Sequence, residues 1–203
     1  MKNRTSTIKR KTRETDITIR LNIDGAGKSR IDTGIGMLDH MLELFSFHGL
    51  FDLDIKARGD LKVDIHHTNE DIGIVLGEAF KKALGVKLGI RRFGSASVPM
   101  EDVVADVVID LSGRDLLRFY KPQGIVKGIK DEKEGYALSD SEHFFEALAK
   151  HMGMNLNITV NPVSKDLHTT LEPIFKALGL ALDEATQIDP RRKGVPSTKG
   201  VID

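Results

Sequence analysis

The sequence predicts an α/β (α+β) fold: an internally duplicated unit of mixed sheet plus two helices, its two halves packed as a pseudo-twofold pair. Three observations carry that expectation. Some segments alternate β-branched and polar residues, others repeat apolar residues at three- and four-residue spacing, and the letters of the N-terminal half return in the C-terminal half.

Taken in order, residues 15–23 (TDITIRLNI), 51–57 (FDLDIKA), 103–111 (VVADVVIDL) and 154–160 (MNLNITV) read as strands. Helices are expected over 35–47 (Ile35, Leu38, Met41, Leu42, Phe45), 70–84 (Ile72, Val75, Leu76, Ala79, Phe80, Ala83), 140–151 and 171–186 (Leu171, Ile174, Phe175, Leu178, Ala181, Ala185). Each forms one apolar stripe, suited to covering a sheet. LDHMLELF at 38–45 returns as SEHFFEAL at 141–148, DLDI at 52–55 as NLNI at 155–158, and HHTNE at 66–70 as HTTLE at 168–172. Each half therefore reads strand, strand, helix, strand, helix. The expected organisation is one domain over 1–203, with halves of about 14–93 and 94–187 and an irregular tail at 188–203. Residues 1–13 are basic and are expected to be mobile until something orders them. NIDGAGKS at 22–29 ends like a phosphate-binding loop, but Asn22 replaces its first glycine and Gly34 and Gly36 fall where a helix belongs. A hairpin turn is the better reading.

Composition narrows the function classes. At 203 residues and 22.5 kDa the chain can bury a sizeable core without disulfides or structural zinc, and it has no cysteine. Thirty basic against thirty acidic residues give no field favouring nucleic acid or an anionic membrane. No apolar run approaches a membrane span, and MKNRTSTIKRKTRET lacks the apolar core of a secretory signal, so a cytoplasmic location is expected.

The histidines carry the chemistry. On a helix, positions i and i+4 share a face, so His66 with Glu70, and His168 with Glu172, can each grip one cation. His67 points away from His66, and the two more naturally serve different ions. A single histidine is usually a surface residue or a cap; a duplicated set of histidines beside carboxylates is not so easily explained. Nitrogen and carboxylate donors without sulfur suit Mn(II), Fe(II), Co(II) or Ni(II), with zinc not excluded. Arg92 in IRRFG, Arg114 in LSGRD and Lys199 in PSTKG lie beside small or glycine-rich backbone that suits a phosphate, although an arginine is by default a solvated charge.

LDHML at 38–42, FHGLFDL at 47–53, HHTNED at 66–71, DLSGR at 110–114, EHFFEAL at 142–148, FKALG at 175–179 and PSTKG at 196–200 resemble the imidazoleglycerol-phosphate dehydratase family of histidine biosynthesis over nearly the whole chain. The resemblance implies a duplicated α/β unit assembled as octahedral 24-mers, with two Mn(II) per subunit bound where subunits meet. By position, one metal takes His40, His67, His168 and Glu172, and the other takes His66, Glu70 and His143. Glu14, His40, His48, Arg92, Arg114, Ser197, Thr198 and Lys199 would contact the phosphorylated imidazole substrate, with Glu14 and His48 as acid–base groups.

The implied reaction removes water from D-erythro-imidazole glycerol phosphate. A metal-stabilised imidazolate expels the hydroxyl through a diazafulvene-like intermediate, and the enol becomes imidazole acetol phosphate. Two residues depart from the family pattern. Thr169 stands where a second histidine would complete the second metal's ligands, and Pro173 suggests that the fourth helix begins close to Glu172. Rival readings are a dinuclear hydrolase, marked by a bridging carboxylate, and a non-catalytic metal-stabilised shell protein.

Overall fold

The computed structural model describes residues 4–121 and 135–202. The first unit runs β1 (Thr5–Lys11), β2 (Thr15–Asn22), β3 (Ser29–Asp32), α1 (Gly36–His48), β4 (Asp52–Gly59) and α2 (His66–Leu84). The second runs β5 (Phe93–Met100), β6 (Val103–Asp110), β7 (Leu116–Tyr120), α3 (Leu138–Met152), β8 (Asn155–Asn161) and α4 (Leu167–Thr186). Two four-stranded mixed sheets result, ordered β1-β2-β4-β3 and β5-β6-β8-β7. The topology is the same in both, and the duplication expected from the sequence is present strand for strand.

Each sheet buries one face. Ile17, Ile19 and Leu21 of β2 alternate with exposed or half-buried neighbours, and Val103, Ala105, Val107 and Ile109 of β6 do the same. The helices lie against these inner faces: α2 covers β1 and β2, while α4 covers β5 and β6. Across the middle, α2 packs on α3 and α1 on α4. Phe45, Phe51, Phe80, Phe144, Phe145 and Phe175 fill the shared core, each contributing about 1.5–3 kcal/mol by leaving water. Gly73 and Gly77 let α2 and α3 approach closely. A Cβ would stand 2.7 Å from the Phe144 carbonyl at one and 2.8 Å from the Leu148 carbonyl at the other. That close approach brings the first turn of α2 up to His143 of α3.

Several expectations need correction. Each unit has three strands before its first helix, because β1, β3, β5 and β7 are also strands. Residues from Thr5 onward are not loose: β1 pairs antiparallel with β2 along its whole length, so the first unit's sheet begins there and not near residue 14. Only Ile8 in TSTIKRK is apolar, which hides the strand from pattern reading. The turn after Asn22 does not close a hairpin, since β3 crosses to the far side of β4 and runs parallel to it. The fourth helix begins at Leu167, well before Glu172. Asp166 caps it by accepting from the amides of His168 and Thr169, and Pro173 sits inside the helix. Among the described residues no helix is long and apolar enough to cross a membrane.

Candidate functional site

The two helices that carry H-x-x-x-E have one contact in common near their starts. Asp64 Oδ1 accepts the His66 amide at 2.9 Å, and Asp166 Oδ1 accepts the His168 amide at 3.2 Å. In each case an aspartate two residues before the histidine accepts its amide: Asp166 is the cap of α4, while Asp64 lies one residue outside the cap position of α2, and neither was singled out from the sequence. With the first turn formed, His66 Nε2 lies 3.5 Å from Glu70 Oε2, and His168 Nε2 lies 2.6 Å from Glu172 Oε1.

One cluster forms between α1 and α4. His40 Nε2 stands 3.2 Å from the same Glu172 Oε1, and the His40 and His168 rings stack at 4.9 Å. Glu172 divides its oxygens: Oε1 faces the two histidines, and Oε2 accepts from Lys176 Nζ at 2.5 Å. Burial works to raise the Glu172 pKa, but Lys176 and the two histidines outweigh it and hold it at about 2. Lys176 was missed in the sequence, although its place four residues after Glu172 was a usable signal.

His48, a candidate acid–base group, ends α1. Burial lowers its pKa, the Lys176 charge adds to that, and the Glu172 charge opposes it.

The second cluster lies between α2 and α3. His66 meets His143 edge-on at 4.8 Å between ring centres. With Glu70 they line a groove of about 310 Å³ that also takes in Glu146, Lys150 and His151. Thr169 does not face this group as a ligand. It is buried, and its hydroxyl donates to Asp166 Oδ2 at 2.8 Å.

His67 joins neither cluster within one chain. Its Nδ1 lies 3.1 Å from Asp60 Oδ2 and 4.0 Å from Glu14 Oε2. The Asp60 hydrogen bond raises the His67 pKa, with the Glu14 charge adding to it. The expected set of His40, His67, His168 and Glu172 is thus divided, three residues at one place and His67 at another, because His67 lies on α2 while the other three lie on α1 and α4. Glu14 sits in the turn between β1 and β2, held at its backbone by Thr12. Asp60 has no sequence signal and was missed.

The phosphate candidates gather around the end of β6. The Arg92 guanidinium makes a two-pronged contact with Asp110, Nε to Oδ1 at 2.6 Å and the second nitrogen to Oδ2 at 3.0 Å, and also donates to the Pro196 carbonyl. Its charge is therefore already paired, and it ties the tail to the sheet. Arg114 is exposed in the loop after β6, as are Thr198 and Lys199 in the tail, with Ser197 half-buried. The Ser197 hydroxyl accepts from the Lys199 amide. Lys87, unnoticed in the sequence, is buried nearby and donates to the Leu111 carbonyl at 3.3 Å. Burial lowers its pKa, with Lys81 and Arg92 adding to the effect.

The donor set fits a divalent ion. Neighbouring donors around a first-row metal with bonds near 2.1 Å stand roughly 3 Å apart. The ligand atoms of His40, His168 and Glu172 all lie within 4.8 Å of one another, with Glu172 Oε1 central. His66 and Glu70 are similarly spaced, though more open.

Comparison with known proteins finds relatives over nearly the whole chain. The imidazoleglycerol-phosphate dehydratase family model matches residues 33–182. An imidazoleglycerol-phosphate dehydratase of Acetivibrio thermocellus is 51% identical, covering 96% of this chain and 97% of its own. The crystal structure of the enzyme of that name from Pyrococcus furiosus, in complex with (S)-C348, superposes with a TM-score of 0.79 at 36% identity, covering 96% of this chain and 99% of that one. The one from Staphylococcus aureus gives 0.78 at 32% identity, covering 91% and 99%. The chain belongs to the imidazoleglycerol-phosphate dehydratase family and is, by that membership, a hydro-lyase of histidine biosynthesis.

Proposed function

We propose that the chain converts D-erythro-imidazole glycerol phosphate to imidazole acetol phosphate, using two divalent ions per chain, manganese(II) first among the candidates. The observation that carries the reading is the convergence of His40 and His168 on one oxygen of Glu172, beside a second histidine–carboxylate group of matching origin. His40, His168 and Glu172 would hold one ion, and His66, Glu70 and His143 the other. His67, apart from the first group within a chain, would complete it from another copy. Exposed Val104, Val108, Leu116 and Tyr120 on the outer face of the second sheet support association of copies, here proposed as a 24-mer.

Ions held by these residues would supply Lewis acidity that favours the imidazolate form of the substrate ring. The chain's own residues must then handle two protons. Glu14 is exposed at the tip of a hairpin and can reach a glycerol chain lying across His67. The lowered pKa of His48 favours the neutral ring, which can accept a proton near neutral pH. One of the two delivers the proton with which the hydroxyl leaves, as the ring electrons open a diazafulvene-like intermediate. The other removes the proton from the neighbouring carbon, and the enol becomes the ketone. Arg114, Ser197, Thr198 and Lys199 would hold the phosphate, with Arg92 fixing the tail that presents it.

A hydrolase would need a carboxylate shared by two ions. The two groups proposed here have no carboxylate in common: one holds Glu172 and the other Glu70. The test is turnover by chelator-stripped protein titrated with Mn(II). Recovered activity is expected. No turnover at any Mn(II) concentration, with the assembly intact, would instead favour a non-catalytic shell protein.

A further inference from the structure

The HHTNED segment has a residue that neither metal group uses. His66 and Glu70 share one face of α2 and turn toward His143, while His67 and Asp71 share the next face and turn toward the β1–β2 hairpin. Asp71 is buried, and both strands of the hairpin end on it. Arg10 of β1 donates to its Oδ1 at 2.8 Å, and Thr15 of β2 donates to its Oδ2 at 2.5 Å.

A carboxylate only accepts, so this contact fixes the direction of everything behind it. With its proton given to Asp71, the Thr15 hydroxyl must accept from the Thr12 hydroxyl, 3.2 Å away. The Thr12 oxygen is then left to accept from the amides of Glu14 and Thr15, at 3.0 and 2.9 Å. A one-way chain of hydrogen bonds runs from the Glu14 backbone to Asp71. The second unit lacks this device. The repeat that places HHTNE over HTTLE puts Pro173 opposite Asp71, and β5 and β6 are joined by a turn of only Glu101 and Asp102.

We propose that Asp71 is a positioning residue: through Thr15 and Thr12 it holds the hairpin tip so that Glu14 stands beside His67. The inference rests on the reading above that Glu14 acts on the substrate. Asp71 itself touches neither substrate nor metal.

The experiment compares Asp71→Asn, Thr12→Val, Glu14→Gln and the Glu14→Gln/Asp71→Asn double variant in the Mn(II)-loaded protein. Steady-state kinetics, bound manganese per chain and amide hydrogen exchange at Glu14 and Thr15 are measured for each. Asp71→Asn should lower kcat by about tenfold to 100-fold, the cost of misplacing a catalytic group by about 1 Å. KM and manganese content should stay near wild type, and the two amides should exchange faster. Thr12→Val, which leaves α2 untouched, should do the same even if the Asp71 variant folds poorly. The double variant should be no slower than Glu14→Gln. Unchanged amide protection in both Asp71→Asn and Thr12→Val, or a further loss of the same factor in the Glu14→Gln background, would overturn the proposal. Wild-type turnover by Glu14→Gln would remove Glu14's catalytic role while the exchange data still decide whether Asp71 holds the hairpin.

Discussion

The two units share a strand order and an aspartate bonded to the amide of each H-x-x-x-E histidine, yet they hold their histidine–carboxylate pairs differently. In the second unit, Glu172 has a side chain only 12% exposed and is gripped on one oxygen by His40 and His168 and on the other by Lys176. In the first unit, Glu70 is 49% exposed, and its approach to His66 is looser at 3.5 Å. The residue after each glutamate diverges as well: Asp71 anchors a hairpin, while Pro173 cannot donate at all. Duplication repeated the scaffold and the spacing. What surrounds each pair then left one tightly held and the other open.

The largest expected effect comes from breaking the tightly held pair. Glu172→Gln should lower turnover by more than the roughly 100-fold typical of losing an outer partner of a metal ligand, and added Mn(II) should not restore it. Lys176→Met tests whether the grip on Glu172 matters. It should raise the Mn(II) concentration for half-maximal activity by about tenfold, with kcat recovered at saturation. An unchanged requirement would mean that Lys176 only neutralises charge.

Smaller effects test the scaffold. Asp166→Ala removes a cap and the partner of Thr169, and should cost about 1 kcal/mol in thermal or denaturant unfolding. The Thr169 hydroxyl lowers the Asp166 pKa; burial opposes it, and the His168 and Thr169 amides add to the lowering. A carboxylate with a lowered folded pKa contributes stability above its unfolded pKa and loses it as pH falls through the folded value. The stability gap between wild type and Asp166→Ala should therefore narrow in strong acid. Smallest of all, Arg20→Ala breaks an exposed pair with Asp54 on the outer face of the first sheet. It should change stability by less than about 0.5 kcal/mol, most visibly at low salt.

The sequence was readable where a side chain had to be apolar on a fixed period. β2, β4, β6 and β8 are the inner strands of their sheets, and the four helices each bury a stripe, so all eight left a pattern. The edge strands did not. β3 and β7 are short, β1 has a single isoleucine, and Gly94 and Pro99 interrupt β5. Proline misled the reading of α4, because a cap at Asp166 outweighs one missing amide donor. Histidines were legible because few residue types bind metal and their spacing repeats. Asp60, Lys87 and Asp71 were not, since their importance lies in what the fold brings against them: His67, the Leu111 carbonyl, and both strands of the β1–β2 hairpin.

The claim that one scaffold carries two unequal sites is tested most directly by equilibrium Mn(II) binding to the chelator-stripped protein. Two ions per chain should bind in separable phases, the tighter one lost in Glu172→Gln and the weaker one in Glu70→Gln. A single ion per chain, or two phases that both variants weaken equally, would contradict the account.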